Sequence, residues 1–355
     1  MTKMVKSGKV DISLLTADEL AKYRQVQAES RRATMQKVLN GVIFGIMRYL
    51  LMISLCFMII YPLLRMFVAA ISHPHTINTV GAMWIPQMSS WDNLIVAWNV
   101  MNFLPSLGFT FAAVGFVMLL QVINAAFAGY AFARLRFKGI SVFFGLVLLT
   151  VVVPTQVFML PQFIMFRNFD IFGIFTLITG EPLNMLGEPT SMFVMAGLGQ
   201  GLAGGIFIYI FRQFFRGLPK ELEEAAYVDG AGVPRTFFGI VLPMAKPAFL
   251  TVATLSFIWN YNDSFFTSLF HPTGMYLRSR ISALAAPSGG TSTMQMAINI
   301  ARPNFPLGTQ TLTTQQYDGI IFTVCIMLSI LPLIALFLVI QRQFVEGMER
   351  SGIVG

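Results

Sequence analysis

Charge is scarce in this sequence: 11% of its 355 residues are Asp, Glu, Lys or Arg, against about 25% in soluble domains. So few charges cannot cover a water-facing surface of this size, which excludes a soluble fold. Cysteine is scarcer still. Cys56 and Cys325 lie in apolar runs, which argues against both a disulfide framework and a thiolate metal site. Histidine is limited to His73, His75 and His271; His73 and His75 across Pro74 fall short of the three or four ligands a metal site needs. No Ser/His/Asp or Cys/His set can be assembled. No G-x-x-x-x-G-K-[ST] loop occurs, so the chain does not hydrolyse ATP by that route.

Apolar residues dominate. They make up 55% of the chain, with 34 Phe and 22 Met and a mean hydropathy of +0.69, which identifies an all-α integral membrane protein. A spanning helix needs about 20 mainly apolar residues, and six stretches qualify: 45–70, 107–131, 141–166, 191–211, 248–270 and 319–340. Arg48 and Arg65 sit near the ends of the first, where long cationic side chains reach the headgroups. Pro154 and Pro161 predict a kink in the third.

The net charge of +8 is topology information rather than a nucleic-acid footprint. Eighteen Lys and Arg fall in the tail before the first stretch, the connections after the second and fourth, and the C-terminal tail. Only Arg167, Arg278, Arg280 and Arg302 fall in the alternate connections. The positive-inside rule then puts both termini in the cytoplasm. The chain is expected to divide into a cytoplasmic tail (1–40) that is not a signal peptide, a permease domain (41–341) and a cytoplasmic tail (342–355). Residues 217–247 form a cytoplasmic loop and 271–318 a long outward one.

Residues 218–243 are the most informative. Pro219 suits a first helical position, and Glu221, Glu223 and Glu224 suit the first turn, where the helix dipole favours anions. Gly230 suits a C-terminal stop, and Pro234 can open a second helix reaching about Ile240, before Pro243. Leu222, Ala225, Ala226 and Asp229 share one narrow face of mostly small side chains. A helix–Gly–helix of this kind suits insertion into a partner's groove; an ordinary amphipathic connector has the same periodicity. In the fifth stretch, Asp263 and Asn260 share a face flanked by Trp259 and Asn262. Two readings stand open for these four: hydrogen bonds between helices, or a polar patch along a solute pathway.

Glu224-Ala225-Ala226, Gly230, Ile240, Leu242 and Pro243 fit E-A-A-x(3)-G-x(9)-I-x-L-P at every fixed position. This resembles the signature of permease subunits of binding-protein-dependent ABC importers. Residues 125–139, 153–157 with Pro161, 242–247 and 341–347 resemble its carbohydrate branch, which includes the second maltose permease subunit. The tail, residues 179–189 and much of 287–308 depart from that pattern, as does Tyr261-Asn262-Asp263.

The resemblance implies a type I importer permease fold of six spans with a cytoplasmic coupling helix, in a bacterial cytoplasmic membrane. It implies a second permease subunit, two ATP-binding cassette subunits that bind ATP and Mg, an extracytoplasmic solute-binding protein and a sugar substrate. No cofactor belongs to this subunit, which is not an enzyme. Glu224, Ala225, Ala226, Asp229, Gly230, Leu242 and Pro243 would dock the ATPase, with Glu224 meeting a cation there. Part of 284–306 would reach the binding protein. An importer for amino acids or peptides is the nearest alternative. An ion-coupled transporter is disfavoured because Asp263 is the one acidic residue in the six stretches.

Overall fold

The structure, a computed structural model, describes residues 16–73, 84–271, 274–285 and 314–350. Of the stretch 284–306 expected to contact the binding protein, all but Leu284 and Ala285 lies outside these residues. All regular elements among them are helical. Contacts divide the chain into two units between Arg65 and Met66.

The first apolar stretch lies on α1 (Ala17–Ile71), one helix that absorbs Pro62 and continues far to the N-terminal side of residue 45. Within the first unit its apolar side chains, Phe44, Ile53 and Met58 among them, are exposed.

The second unit is organised along α3 (Phe103–Arg134), which carries the second stretch. A short helix, α2 (Asp92–Val100), precedes it. The sequence reading had no element there. α2 is too short to span, and it is fixed by Asn93, whose amide donates to the carbonyls of Ala69 and Ser72 at 2.9 and 2.8 Å.

The third stretch is sharply bent rather than gently kinked. α4 (Ile140–Val152) gives way at Val153-Pro154 to a 3-10 turn (Thr155–Phe158) and α5 (Met159–Arg167), and the two arms meet at 96°. Proline removes the amide that would continue the α4 ladder and disfavours helical backbone in the residue before it.

After the short α6 (Ile174–Thr179), the fourth stretch needs correction. It is not a continuous helix but α7 (Thr190–Gly197) and α8 (Gly204–Gly217). Between them Gly199 and Ala203 adopt left-handed backbone, φ 77° and 57°. Amides from α3 brace this break: Asn124 donates to the Gly197 carbonyl at 2.8 Å and Gln121 to that of Leu202 at 3.2 Å. Irregular backbone within an apolar stretch needs such partners. Further along, α3 and α8 pack closely because Gly129 has no side chain; a Cβ there would lie 2.5 Å from that of Phe211.

The connection that follows holds α9 (Glu221–Val228), α10 (Val233–Thr236), a π-turn (Phe237–Val241) and α11 (Leu242–Met244). The fifth stretch is α12 (Lys246–Asn262) and α13 (Phe265–Phe270), interrupted at Asp263. α14 (Leu277–Ala285) and α15 (Thr314–Arg350), which carries the sixth stretch, complete the described chain.

Among the described residues, three helices are individually long and apolar enough to cross a membrane, and two bent pairs raise the total to five. Three apolar clusters line α3: around Met101 and Tyr317 at one end, Phe166 and Phe270 near the middle, and Phe211 and Phe237 at the other end.

Candidate functional site

α9 begins at Glu221 with Lys220 as its cap residue, so Pro219 lies just outside the helix rather than at its first position. Its C-terminus is a Schellman closure. Gly230 N–H bonds the Tyr227 carbonyl at 3.1 Å and Ala231 N–H bonds that of Ala226 at 2.9 Å, and Gly230 has φ +81°. This is the left-handed backbone that glycine adopts without the Cβ penalty.

The expected second helix does not stop before Pro243. It passes through the π-turn into α11, with Pro243 in its first turn. The wide turn relieves the clash a proline ring makes with the carbonyl four residues earlier.

The three first-turn glutamates point in different directions. Glu221 and Glu224 are exposed, while Glu223 is buried. Its Oε1 lies 2.9 Å from Nε of Arg134, in the last turn of α3, with side chains 10% and 6% exposed. Arg134 Nη2 also donates to the Leu218 carbonyl at 2.6 Å. Tyr130, one turn earlier on α3, lies beside Glu223 and Tyr227. The end of α3 therefore grips both the entry to α9 and its first turn. Sequence reasoning missed Glu223, Arg134 and Tyr130 as a group, although three closely spaced acids and an arginine just past the end of the second stretch were visible.

Of the residues expected to dock a partner, Glu224, Ala225, Asp229 and Gly230 are exposed, along α9 and the turn that closes it. Ala226 is 4% exposed and faces the chain's own interior, so the predicted small-residue face is split between partner-accessible and buried sides. Leu242 is half-buried and Pro243 exposed.

The four residues expected along a solute pathway are dispersed. Asn260 is buried and donates to Oε1 of Gln121 at 2.9 Å and to the Ser256 carbonyl at 2.8 Å. Ser256 Oγ bonds the same Gln121 oxygen at 2.6 Å. Gln121, through its other end at Leu202, thus joins α12 to the break before α8. Asp263 caps α13, accepting from the amides of Phe265 at 3.2 Å and Thr267 at 3.0 Å. Trp259 stacks on Phe207 at 5.5 Å, and exposed Asn262 bonds the Ile258 carbonyl on its own helix. This geometry suits hydrogen bonding between and within helices. No group of three or more His, Cys, Asp or Glu among the described residues could hold a metal.

Residues 121–350 match the family "binding-protein-dependent transport system inner membrane component". The chain is 27% identical over 312 residues to the sn-glycerol-3-phosphate transport system permease protein UgpE of Yersinia enterocolitica, covering 83% of this chain and 92% of that one. It is 25% identical over 309 residues to the maltodextrin transport system permease protein MdxG of Bacillus subtilis, covering 86% and 95%. A crystal structure of a bacterial ABC transporter that imports the acidic polysaccharide alginate contains a chain of the same fold. The TM-score is 0.63 at 19% identity, over 85% of this chain and 96% of that one. With the family pattern running from the middle of α3 to the end of α15, the chain belongs to the inner-membrane components of binding-protein-dependent transport systems, which are transport subunits and not enzymes.

Proposed function

We propose that this chain is the permease subunit of an ATP-driven importer for a sugar or oligosaccharide, paired with a second permease subunit. Two cytosolic ATPase subunits would supply hydrolysis, and an extracytoplasmic binding protein would deliver the solute. The supporting observation is the projecting turn of α9. Glu224, Ala225, Asp229 and Gly230 are open to a partner while Glu223 is fixed to Arg134. Partner closure on that turn would pull on α3 through the ion pair, and the spans would rock to expose the solute route alternately to each side. The Lys and Arg distribution supports a cytoplasmic position for the turn. The sugar assignment is supported by relatives named for maltodextrin, arabinooligosaccharides and alpha-glucoside.

The test is Glu224→Lys in the reconstituted complex. Reversing an exposed charge where a partner cation is expected should weaken ATPase association or uncouple hydrolysis from uptake while leaving the chain inserted. Unchanged uptake at normal ATPase stoichiometry would show that the turn is not the docking element.

A further inference from the structure

The bend in the third apolar stretch and the break in the fourth line a partly open cavity of about 470 Å³, within the roughly 300–1,000 Å³ of small-molecule sites. Thr155, Gln156 and Gln162 reach it from the bend and Gln200 from the break, with Phe158 and Phe266 as aromatic walls. No lining residue is charged.

The break is braced independently of any ligand, since Asn124 and Gln121 hold the carbonyls of Gly197 and Leu202. Its approach to α4 depends on glycine. A Cβ on Gly205 would lie 2.7 Å from Thr150 Oγ1 and 2.9 Å from the Val147 carbonyl. Within this preformed frame, the Oε1 atom of Gln162 is buried with no hydrogen-bond partner. Gln162 as a whole is half-buried, and leaving its carboxamide oxygen unpaired is unfavourable. Rotation of the Gln162 amide toward the cavity it lines would let a solute hydroxyl, which both donates and accepts, pair with either end of it.

The chemistry of the walls discriminates among solutes. Carboxamides, a threonine and aromatic rings suit a polyhydroxylated, uncharged molecule. A phosphate or uronate would enter without a cation to meet it, which is costly at this depth. We infer that this cavity is a solute subsite on this subunit itself, selective for a neutral saccharide over a phosphorylated or acidic solute. This rests on the importer reading above and specifies its solute class.

The test uses the complete transporter with its binding protein in proteoliposomes, with maltotriose, arabinotriose, glycerol 3-phosphate and a uronate disaccharide as probes. ATP-dependent uptake is measured for each. In parallel, the complex carrying Gln162→Cys, with Cys56→Ala and Cys325→Ala, is treated with a small maleimide in the presence of each probe.

A neutral probe should be taken up and should slow the modification, while the two anionic probes do neither. Gln162→Leu should cut neutral uptake about five- to tenfold, the scale of one hydrogen bond between uncharged groups, and Gln162→Asn by less. Assembly of the complex should remain intact in both. Protection by glycerol 3-phosphate or the uronate at least as strong as by a neutral probe overturns the solute class. Neutral uptake without protection, with Gln162→Leu at the unmodified rate, overturns the subsite and leaves the importer reading standing. ATP hydrolysis with uptake of none of the four overturns both.

Discussion

At α9 the polar groups face outward around one buried ion pair, whereas Gln121, Ser256 and Asn260 turn their polar groups inward onto one another. Both regions are polar islands in an apolar chain, and composition alone does not separate them. What separates them is closure. The α12 stripe has an internal partner for its hydrogen bonds, the arrangement that packing between helices uses. The α9 turn is anchored at one residue and left open at its neighbours, as a surface built to receive another protein would be.

The largest expected effect lies at the anchor. Removing one member of a buried pair leaves the other charge uncompensated, at a cost of about 3–5 kcal/mol. Glu223→Leu or Arg134→Leu should therefore lower the thermal midpoint of the purified chain strongly, and the double substitution should recover much of the loss. If either single change is as mild as Asn262→Ala, the anchor is not what distinguishes α9.

Gly230→Val comes next. Nothing lies within 4 Å of an added Cβ, so the penalty is conformational, from φ +81°, at roughly 1–3 kcal/mol. ATPase association, measured by co-purification, should fall in this variant, and Gly230→Ala should fall less. Equal behaviour of Ala, Val and Gly at 230 would show that the turn geometry is not required.

In the closed region the expectation is smaller. Asn260→Leu should cost about 0.6–1.7 kcal/mol, the range for a hydrogen bond between membrane helices. Uptake should fall only in proportion to folded protein, with KM unchanged. A raised KM at full folding would instead return Asn260 to the solute route.

The smallest effect should be at His271, just beyond α13. Its ring is buried against Tyr276 and its Nε2 is unpartnered. Burial holds its pKa below the ordinary 6.5, while the Gly187 backbone and Glu188 act the other way. A depressed pKa means that the unfolded chain binds the proton more readily. The stability contribution is therefore complete above pH 6.5 and is lost as pH falls through the lower folded value. The thermal midpoint should drop as pH falls below about 6.5, and His271→Gln should flatten that slope.

The sequence made one part of this contrast legible and left the other obscure. Glu224 and Gly230 were readable because a short helix with acids in its first turn and a glycine stop is defined by local rules. Which of three glutamates turns inward was not, since that depends on Arg134 in another helix. The break in the fourth stretch was overlooked because hydropathy averages over it. A local warning was nevertheless present: residues 197–205 hold five glycines, a composition that opposes helix. Asn260 was ambiguous for a related reason, because its partner Gln121 is remote in sequence.

The π-turn at Phe237–Val241 has a further consequence, for angular phasing. A wide turn takes up one residue more than an ordinary helical turn, and each residue rotates a helix by about 100°. Deleting a single residue there would turn everything before it by about that angle relative to α12. Glu223 would swing away from Arg134, and the Pro243 ring would be pressed against a carbonyl in the preceding turn. The number of residues in this short stretch, more than their identity, therefore sets the direction in which the projecting turn faces.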